Sequence, residues 1–190
     1  MKVVAFNGSA RAKGNTAILL NLVLAELAAE GIETELVPLA GEAIPGCCAC
    51  YRCFNNADGH CAVTGDIVND CIDKMRAADG ILLGSPTYFS DITAGMKALI
   101  ERAGMTARAN AGMLKRKAGA GVVAVRRAGA MHAFTSLNLF FLISEMIVAG
   151  SSYWNIGIGR EPGEVEKDTE GIQIMKTLGQ NMAWLMKKIG

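Results

Sequence analysis

Residues 7–16, Asn-Gly-Ser-Ala-Arg-Ala-Lys-Gly-Asn-Thr, decide how this chain folds. An apolar run, Val3-Val4-Ala5-Phe6, precedes them and reads as the body of a strand over residues 2–7. Ala17-Ile18-Leu19-Leu20 follows and opens a helical pattern over 15–30. A strand passing through a small polar loop into a helix N-terminus makes an anion site, because unpaired amides point outward there and the helix dipole favours negative charge. Ser9 and Thr16 add hydroxyl donors, Asn15 an amide and Arg11 a cation, while Gly14, with Gly8, lets the backbone turn tightly and approach a ligand. The loop reads as a cradle for one phosphate monoester. It has neither the G-x-x-x-x-G-K-[ST] order of a P-loop nor G-x-G-x-x-G, which points away from a nucleoside triphosphate or a dinucleotide and towards a mononucleotide. A capped strand-to-helix turn without a ligand is the plain alternative.

Outward from this loop, strands and helices alternate. Gly31 ends the first helix. Strand two is Glu33 to Leu39, and residues 40–65 form a long irregular stretch holding five of the six cysteines. Asp66 caps a helix running to Ala78, with Cys71 on its inward face. Strand three, Gly80 to Gly84, is short and wholly apolar, as in a parallel sheet buried on both faces. The loop Ser85 to Asp91 feeds a helix over 93–104, and a basic, mobile-looking stretch covers 105–118. Strand four is Ala120 to Val125. The loop Arg126 to Ala130 leads into a long helix to Val148. Strand five is Ser152 to Gly157, and a last helix runs from Asp168 to Ile189. Such alternation predicts an α/β fold: a doubly wound, five-stranded parallel sheet of flavodoxin-like order 2-1-3-4-5, with helices on both faces. One domain over 1–190 is expected, with a cysteine-rich loop at about 45–63. In such a sheet ligands bind beyond the carboxyl ends of strands one and three.

Composition narrows the function classes. A formal charge of +1 gives no reason to expect nucleic acid or a membrane surface as partner. The apolar tract 137–150 is too short and too interrupted by Asn138, Ser144 and Glu145 to span a bilayer. The chain enters its first strand without room for a signal peptide, and six cysteines then fit a reducing cytoplasm better than a disulfide framework.

The second loop differs in chemistry from the first. Pro86, Thr87, Tyr88 and Phe89 offer an aromatic pair, hydroxyls and backbone amides with little charge, which suits a flat ring with polar edges. The third loop, including Ala128 and Gly129, supplies small residues to the far side of that ring. A phosphate cradle beside a flat-ring slot points to flavin mononucleotide (FMN), against the alternative that Tyr88 and Phe89 are core residues at a helix start.

In the cysteine stretch, Cys47, Cys50 and Cys53 form C-x2-C-x2-C, and Cys61 follows after seven residues. Compact thiolate runs of this kind wrap iron–sulfur clusters. Zinc knuckles more often use two separated C-x2-C pairs, and free thiols are a further reading. Cys48 is a bystander or a substitute for Cys47. His60 reads as loop surface, with ligation as the alternative. His132 begins a helix, and no residue is needed as acid, base or nucleophile.

Together these motifs resemble the iron-sulfur flavoproteins and their cluster-free relatives among the NADPH-dependent FMN reductases. The likeness rests on Gly8-Ser9 with Gly14-Asn15-Thr16, the cysteines from Cys47 to Cys61, Gly84 to Phe89 followed by Met96-Lys97, and Ser152-Tyr153-Trp154. It implies FMN on the first two loops and a [4Fe-4S] cluster on Cys47, Cys50, Cys53 and Cys61. It also implies NAD(P)H as a possible co-substrate, and a small-molecule electron acceptor or redox carrier protein as partner. Homo-oligomers, dimers or tetramers, are implied as well, with one subunit's cluster near another's flavin. The wide apolar surface of the helix from His132 to Val148 independently points to a subunit interface. A cluster-free quinone, nitro or azo reductase and a non-enzymatic domain with zinc or free thiols are the rival readings.

Overall fold

The computed structural model describes all of residues 1–190. Strands β1 (Lys2–Asn7), β2 (Glu33–Pro38), β3 (Gly80–Pro86), β4 (Ala118–Val125), β5 (Ile147–Val148) and β6 (Ile156–Ile158) form one sheet. Its path is β2-β1-β3-β4-β5, β6 also pairs with β4, and every pairing is parallel. This is the doubly wound order expected from the alternation of elements.

Helices α1 (Asn15–Ala29), α2 (Arg52–Asn56), α3 (Val68–Ala77), α4 (Ala94–Ala109), α5 (Ala130–Ile143) and α6 (Thr169–Ile189) complete the chain, with a short 3-10 helix at Glu164–Lys167. Two apolar cores, one on each face of the sheet, account for most of the buried side chains. One joins α3, α4 and α5 to the sheet through Ile72, Met96, Leu99, Leu137 and Phe141. The other joins α1 and α6 through Leu19, Leu20, Val23, Met175 and Leu178. The central strands meet both cores, so Val3 to Phe6 are fully buried although successive side chains point to opposite faces. On β4, Gly119 admits α5 closely: a Cβ there would lie 2.6 Å from the Phe141 ring.

Several boundaries differ from the sequence reading: the irregular stretch 40–65 holds the short helix α2, β3 runs on to Pro86, and β4 starts at Ala118. The expected fifth strand, Ser152 to Gly157, is a strand only from Ile156 on, and a separate short strand precedes it. Ile147–Val148 pair with the start of β4, the chain bulges through 149–155, and Ile156–Ile158 pair with its end. Asn155 bridges the gap, its carbonyl accepting from the Val123 amide at 2.9 Å and its side chain donating to the Gly121 carbonyl at 3.0 Å. Helix α5 stops at Ile143 rather than Val148, because Glu145 turns into the left-handed region at φ 56° and the β-branched pair Ile147-Val148 joins the sheet. The stretch 105–118, read as a loop, continues α4 to Ala109, with Ala103, Thr106 and Ala107 buried.

Candidate functional site

The register of the central strands brings the first two loops together. Asn7 pairs with Gly84, and the Gly8 amide donates to the Gly84 carbonyl at 2.8 Å. Thr93, the N-cap of α4, donates its hydroxyl to the Gly8 carbonyl at 2.8 Å, while its amide donates to Ser85 Oγ at 3.0 Å. Only glycine fits at position 8, where a Cβ would stand 2.9 Å from Met96 Cβ and 3.1 Å from the Gly84 carbonyl. The backbone therefore runs flush against α4 and turns the rest of the loop towards solvent.

A cleft of about 230 Å³ lies where these loops meet. Ser9, Arg11, Gly14, Asn15 and Thr16 line it from the first loop, Pro86, Thr87 and Tyr88 from the second. Ala124, Arg126, Gly159 and Arg160 complete it from the ends of β4 and β6. The lining contains three arginines and no carboxylate; Arg160 is paired with Glu161 at 3.2 Å, and the charges of Arg11 and Arg126 favour an anion. No side chain caps α1, and no backbone carbonyl pairs with the amides of Asn15, Thr16 or Ala17. Ser9 Oγ accepts from the Arg11 amide at 3.1 Å, which leaves its own proton free to donate. The hydroxyls of Thr16 and Thr87 are buried without a hydrogen-bond partner. Both hydroxyls are open to a ligand's polar atoms, since buried hydroxyls are otherwise paired.

Of the other expected site residues, Asn15 lines the cleft with its side chain already engaged, and Phe89, Ala128 and Gly129 lie outside the lining. The Asn15 side chain donates to the Glu161 carbonyl at 3.0 Å and accepts from the Gly163 amide at 2.8 Å, so it fastens the loop after β6 to α1. Phe89 does not face the cleft. It forms with Ser90 the tip of a tight turn closed by the Tyr88–Asp91 bridge, both in the left-handed region at φ 47° and 66°, and its ring is fully exposed. Ala128 is exposed, and Gly129 starts α5 against that turn, where a Cβ would lie 2.9 Å from Ser90 Oγ. Neither belongs to the lining. His132 stands 3.4 Å from Asp91, whose carboxyl burial pushes up but the Ile92 amide and Ser136 hydroxyl together pull below its ordinary value.

The cysteine loop builds a second feature. Ala49, Tyr51 and Ala57 are all left-handed, at φ 52°, 55° and 48°, a curl that persists only where the surroundings impose it. Cys47, Cys48, Cys50, Cys53 and Cys61 line one small cavity of about 20 Å³ with Arg102 and Thr106 of α4. Cys53 is buried, Cys61 half-buried, and Cys47, Cys48 and Cys50 are exposed. Burial, then the neighbouring Cys61, push the Cys53 thiol up, whereas the Arg52 amide draws Cys50 down. The Asn69 side chain clamps Cys61 by its backbone, accepting from the amide at 2.9 Å and donating to the carbonyl at 3.0 Å. No three metal-ligating side chains converge as they would on a single ion. A four-iron cluster presents one iron to each thiolate, so its ligands stand around a cube, not a point, and a four-thiol loop fits that donor set. Cys71, outside the loop, is buried against α3's neighbours, and its thiol is pushed up to about 12 by burial.

Comparison with known proteins identifies the family. The family model for NADPH-dependent FMN reductase matches residues 1–161. An iron-sulfur flavoprotein of Methanocaldococcus jannaschii is 36% identical over 197 residues, covering all of this chain and 99% of that protein. The iron-sulfur flavoprotein of Methanosarcina thermophila is 31% identical over 191 residues, covering all of this chain and 97% of its own length. Among solved structures, RosB with a bound riboflavin-phosphate intermediate superposes with a TM-score of 0.76 at 17% identity, over 99% of this chain and 79% of that one. A WrbA-like flavodoxin from Agrobacterium tumefaciens gives 0.66 at 15% identity, over 100% and 98%. At these identities the structures establish the flavodoxin-like fold.

Proposed function

The chain belongs to the NADPH-dependent FMN reductase family and is an FMN-dependent oxidoreductase, and on that premise we propose that it acts as an electron-transfer flavoprotein carrying FMN in the cleft above β1 and β3 and a [4Fe-4S] cluster on Cys47, Cys50, Cys53 and Cys61. The observation that carries the reading is the cleft itself: two loops of opposite chemistry, joined through Gly8 and Gly84, with the Thr16 and Thr87 hydroxyls left for a ligand.

Bound FMN supplies a ring that accepts a hydride or single electrons. This chain's residues supply the rest. The free amides at the start of α1, the Ser9 and Thr16 hydroxyls and Arg11 would hold and orient the phosphate, Arg11 balancing part of its charge. Pro86 and Tyr88 would hold the ring, and the Thr87 hydroxyl, which has no partner, would donate to a polar edge of it. Arg126, with Arg160 partly balanced by Glu161 at 3.2 Å, would favour an anionic donor such as NAD(P)H at the mouth. No side chain need exchange a proton with the substrate. The thiolates would hold the cluster as a one-electron outlet towards a small acceptor or a carrier protein. The exposed apolar side chains of α5, Leu139, Leu142 and Ile143, together with Tyr153 and Trp154, are the contact surface for a second copy in this reading. No helix is long and apolar enough to cross a membrane.

Anaerobic purification followed by iron, acid-labile sulfide and released-flavin counts tests the proposal. Replacing Cys50 and Cys53 together by Ala should abolish iron and leave FMN in place. A flavin-bearing protein that never takes up iron is instead the cluster-free reductase, which would pass electrons directly to a quinone, nitro or azo acceptor. Protein that takes up no flavin overturns both.

A further inference from the structure

Helix α4 aims two polar side chains at the cysteine cavity, one turn apart. Arg102 is fully buried, yet it makes four hydrogen bonds. Its Nε donates to Cys61 Sγ at 3.3 Å, one terminal nitrogen donates to Asp66 at 2.5 Å and to the Pro45 carbonyl at 3.4 Å, and the other donates to the Val63 carbonyl at 2.7 Å. Pro45 and Val63 flank the cysteine loop, so the guanidinium closes it like a clasp while Asp66 balances its charge. Thr106, four residues on and also fully buried, lines the same cavity, and its hydroxyl has no partner. A helical threonine commonly satisfies its hydroxyl on a preceding carbonyl. Here nothing takes it, and the cavity it faces is walled by sulfurs.

We infer that Arg102 and Thr106 are positioning residues for the sulfur cage, Arg102 holding the loop closed and donating to Cys61, Thr106 donating into the cavity, and that together they raise the reduction potential of the cluster. The inference rests on the proposed [4Fe-4S] site. One electron added there, with no proton, leaves one more negative charge spread over the sulfurs. Donors fixed beside sulfur favour that more negative form, and hydrogen bonding to the sulfurs is one of the controls on such potentials. Arg102 keeps its charge throughout, so its contribution does not vary across ordinary pH.

The test is a redox titration of the anaerobically purified holoprotein followed by electron paramagnetic resonance, with iron, sulfide and FMN counted on the same samples. Thr106→Val keeps shape and removes the hydroxyl; full iron, normal FMN and a midpoint about 59 mV lower, a tenfold shift in the reduced-to-oxidised ratio, are expected. Thr106→Ser should restore the wild-type midpoint. Arg102→Lys keeps the charge but cannot reach Pro45, Val63, Asp66 and Cys61 together, so both iron retention and midpoint should fall. A Thr106→Val protein with full iron and an unchanged midpoint overturns the inference and leaves the cluster proposal standing. Wild-type protein with FMN but no iron overturns both. Should Arg102→Lys fail to fold, the two Thr106 variants decide.

Discussion

Thr16→Val separates a hydroxyl kept for a ligand from one kept for the fold. Thr16 is 1% exposed and its oxygen is unpaired. A buried hydroxyl without a partner costs about 1–3 kcal/mol, so its removal at constant shape should stabilise the flavin-free protein, by about 1 kcal/mol at the low end. For a chain of this size that raises Tm by roughly 2–4 °C. In the holoprotein the sign reverses. A hydroxyl donating to a phosphate makes a hydrogen bond to a charged group, worth about 1.5–3 kcal/mol, and its loss should weaken FMN binding roughly tenfold to a hundredfold. Thermal melts of the flavin-free protein give the first quantity, and quenching of FMN fluorescence on titration gives the second. Opposite signs are the signature sought. An unchanged Kd, or a lower Tm for the flavin-free variant, would refute the placement of the phosphate at this helix.

Other expectations follow from the same geometry. Gly8→Ala places a Cβ against Met96 and the Gly84 carbonyl and should destabilise the fold by about 1–3 kcal/mol in thermal melts, with FMN affinity falling alongside. Asp66 is pushed up by burial, but the Arg102 bond and the Val68 amide outweigh this and hold its carboxyl below the ordinary 3.8. Its stabilisation is therefore present above that value and lost as pH falls through the lower folded value, so Asp66→Asn should flatten the loss of stability seen in acid melts. Cys71, raised to about 12 and buried, should resist iodoacetamide at pH 8 in native protein and react only after unfolding, as mass spectrometry can read. Phe89→Ala should leave FMN affinity unchanged within about twofold in the same fluorescence titration, because its ring lies outside the cleft.

How far the residues themselves reveal this arrangement differs from place to place. β1, α1 and β3 announce themselves, because a wholly apolar run between polar loops has few alternatives to a central parallel strand. The meeting of the first two loops follows from strand order alone. What sequence hides is set by backbone turns and by distant partners. Tyr88 and Phe89 are chemically alike, yet a left-handed turn sends one to the cleft and the other to solvent. Asn15 looks like a ligand amide until Gly163, far along the chain, claims it. The bulge between β5 and β6 is visible only once Asn155 is seen satisfying β4 in the gap. Arg126 and Arg160 belong to loops that the alternation locates, but only the closing of β6 beside β4 brings both to the mouth. Arg102 is the hardest. In Ile100-Glu101-Arg102-Ala103 it reads as an ordinary solvent-facing cation, and nothing local reveals that Asp66, Pro45 and Val63 fold over it.

That helix also joins the flavin cleft to the cysteine loop. Thr93 at its start locks the phosphate loop to the ring loop, and Arg102 and Thr106 further along meet the sulfurs. Nine and thirteen residues of helix set the two features roughly 14 and 20 Å apart along its axis. α4 is packed through Met96, Leu99 and Ala103 into the core, so this spacing is fixed by the fold and not by either loop. A perturbation confined to the cysteine loop should therefore leave the flavin cleft intact, whereas one that shifts α4 should disturb both. Cys50→Ala with Cys53→Ala and Leu99→Ala form the matching pair. The first should remove iron with flavin affinity unchanged. The second, by opening a cavity worth about 2–5 kcal/mol beneath the helix, should weaken both together. If Leu99→Ala spared iron while flavin affinity fell, or the reverse, the two sites would not share this helix as their common support.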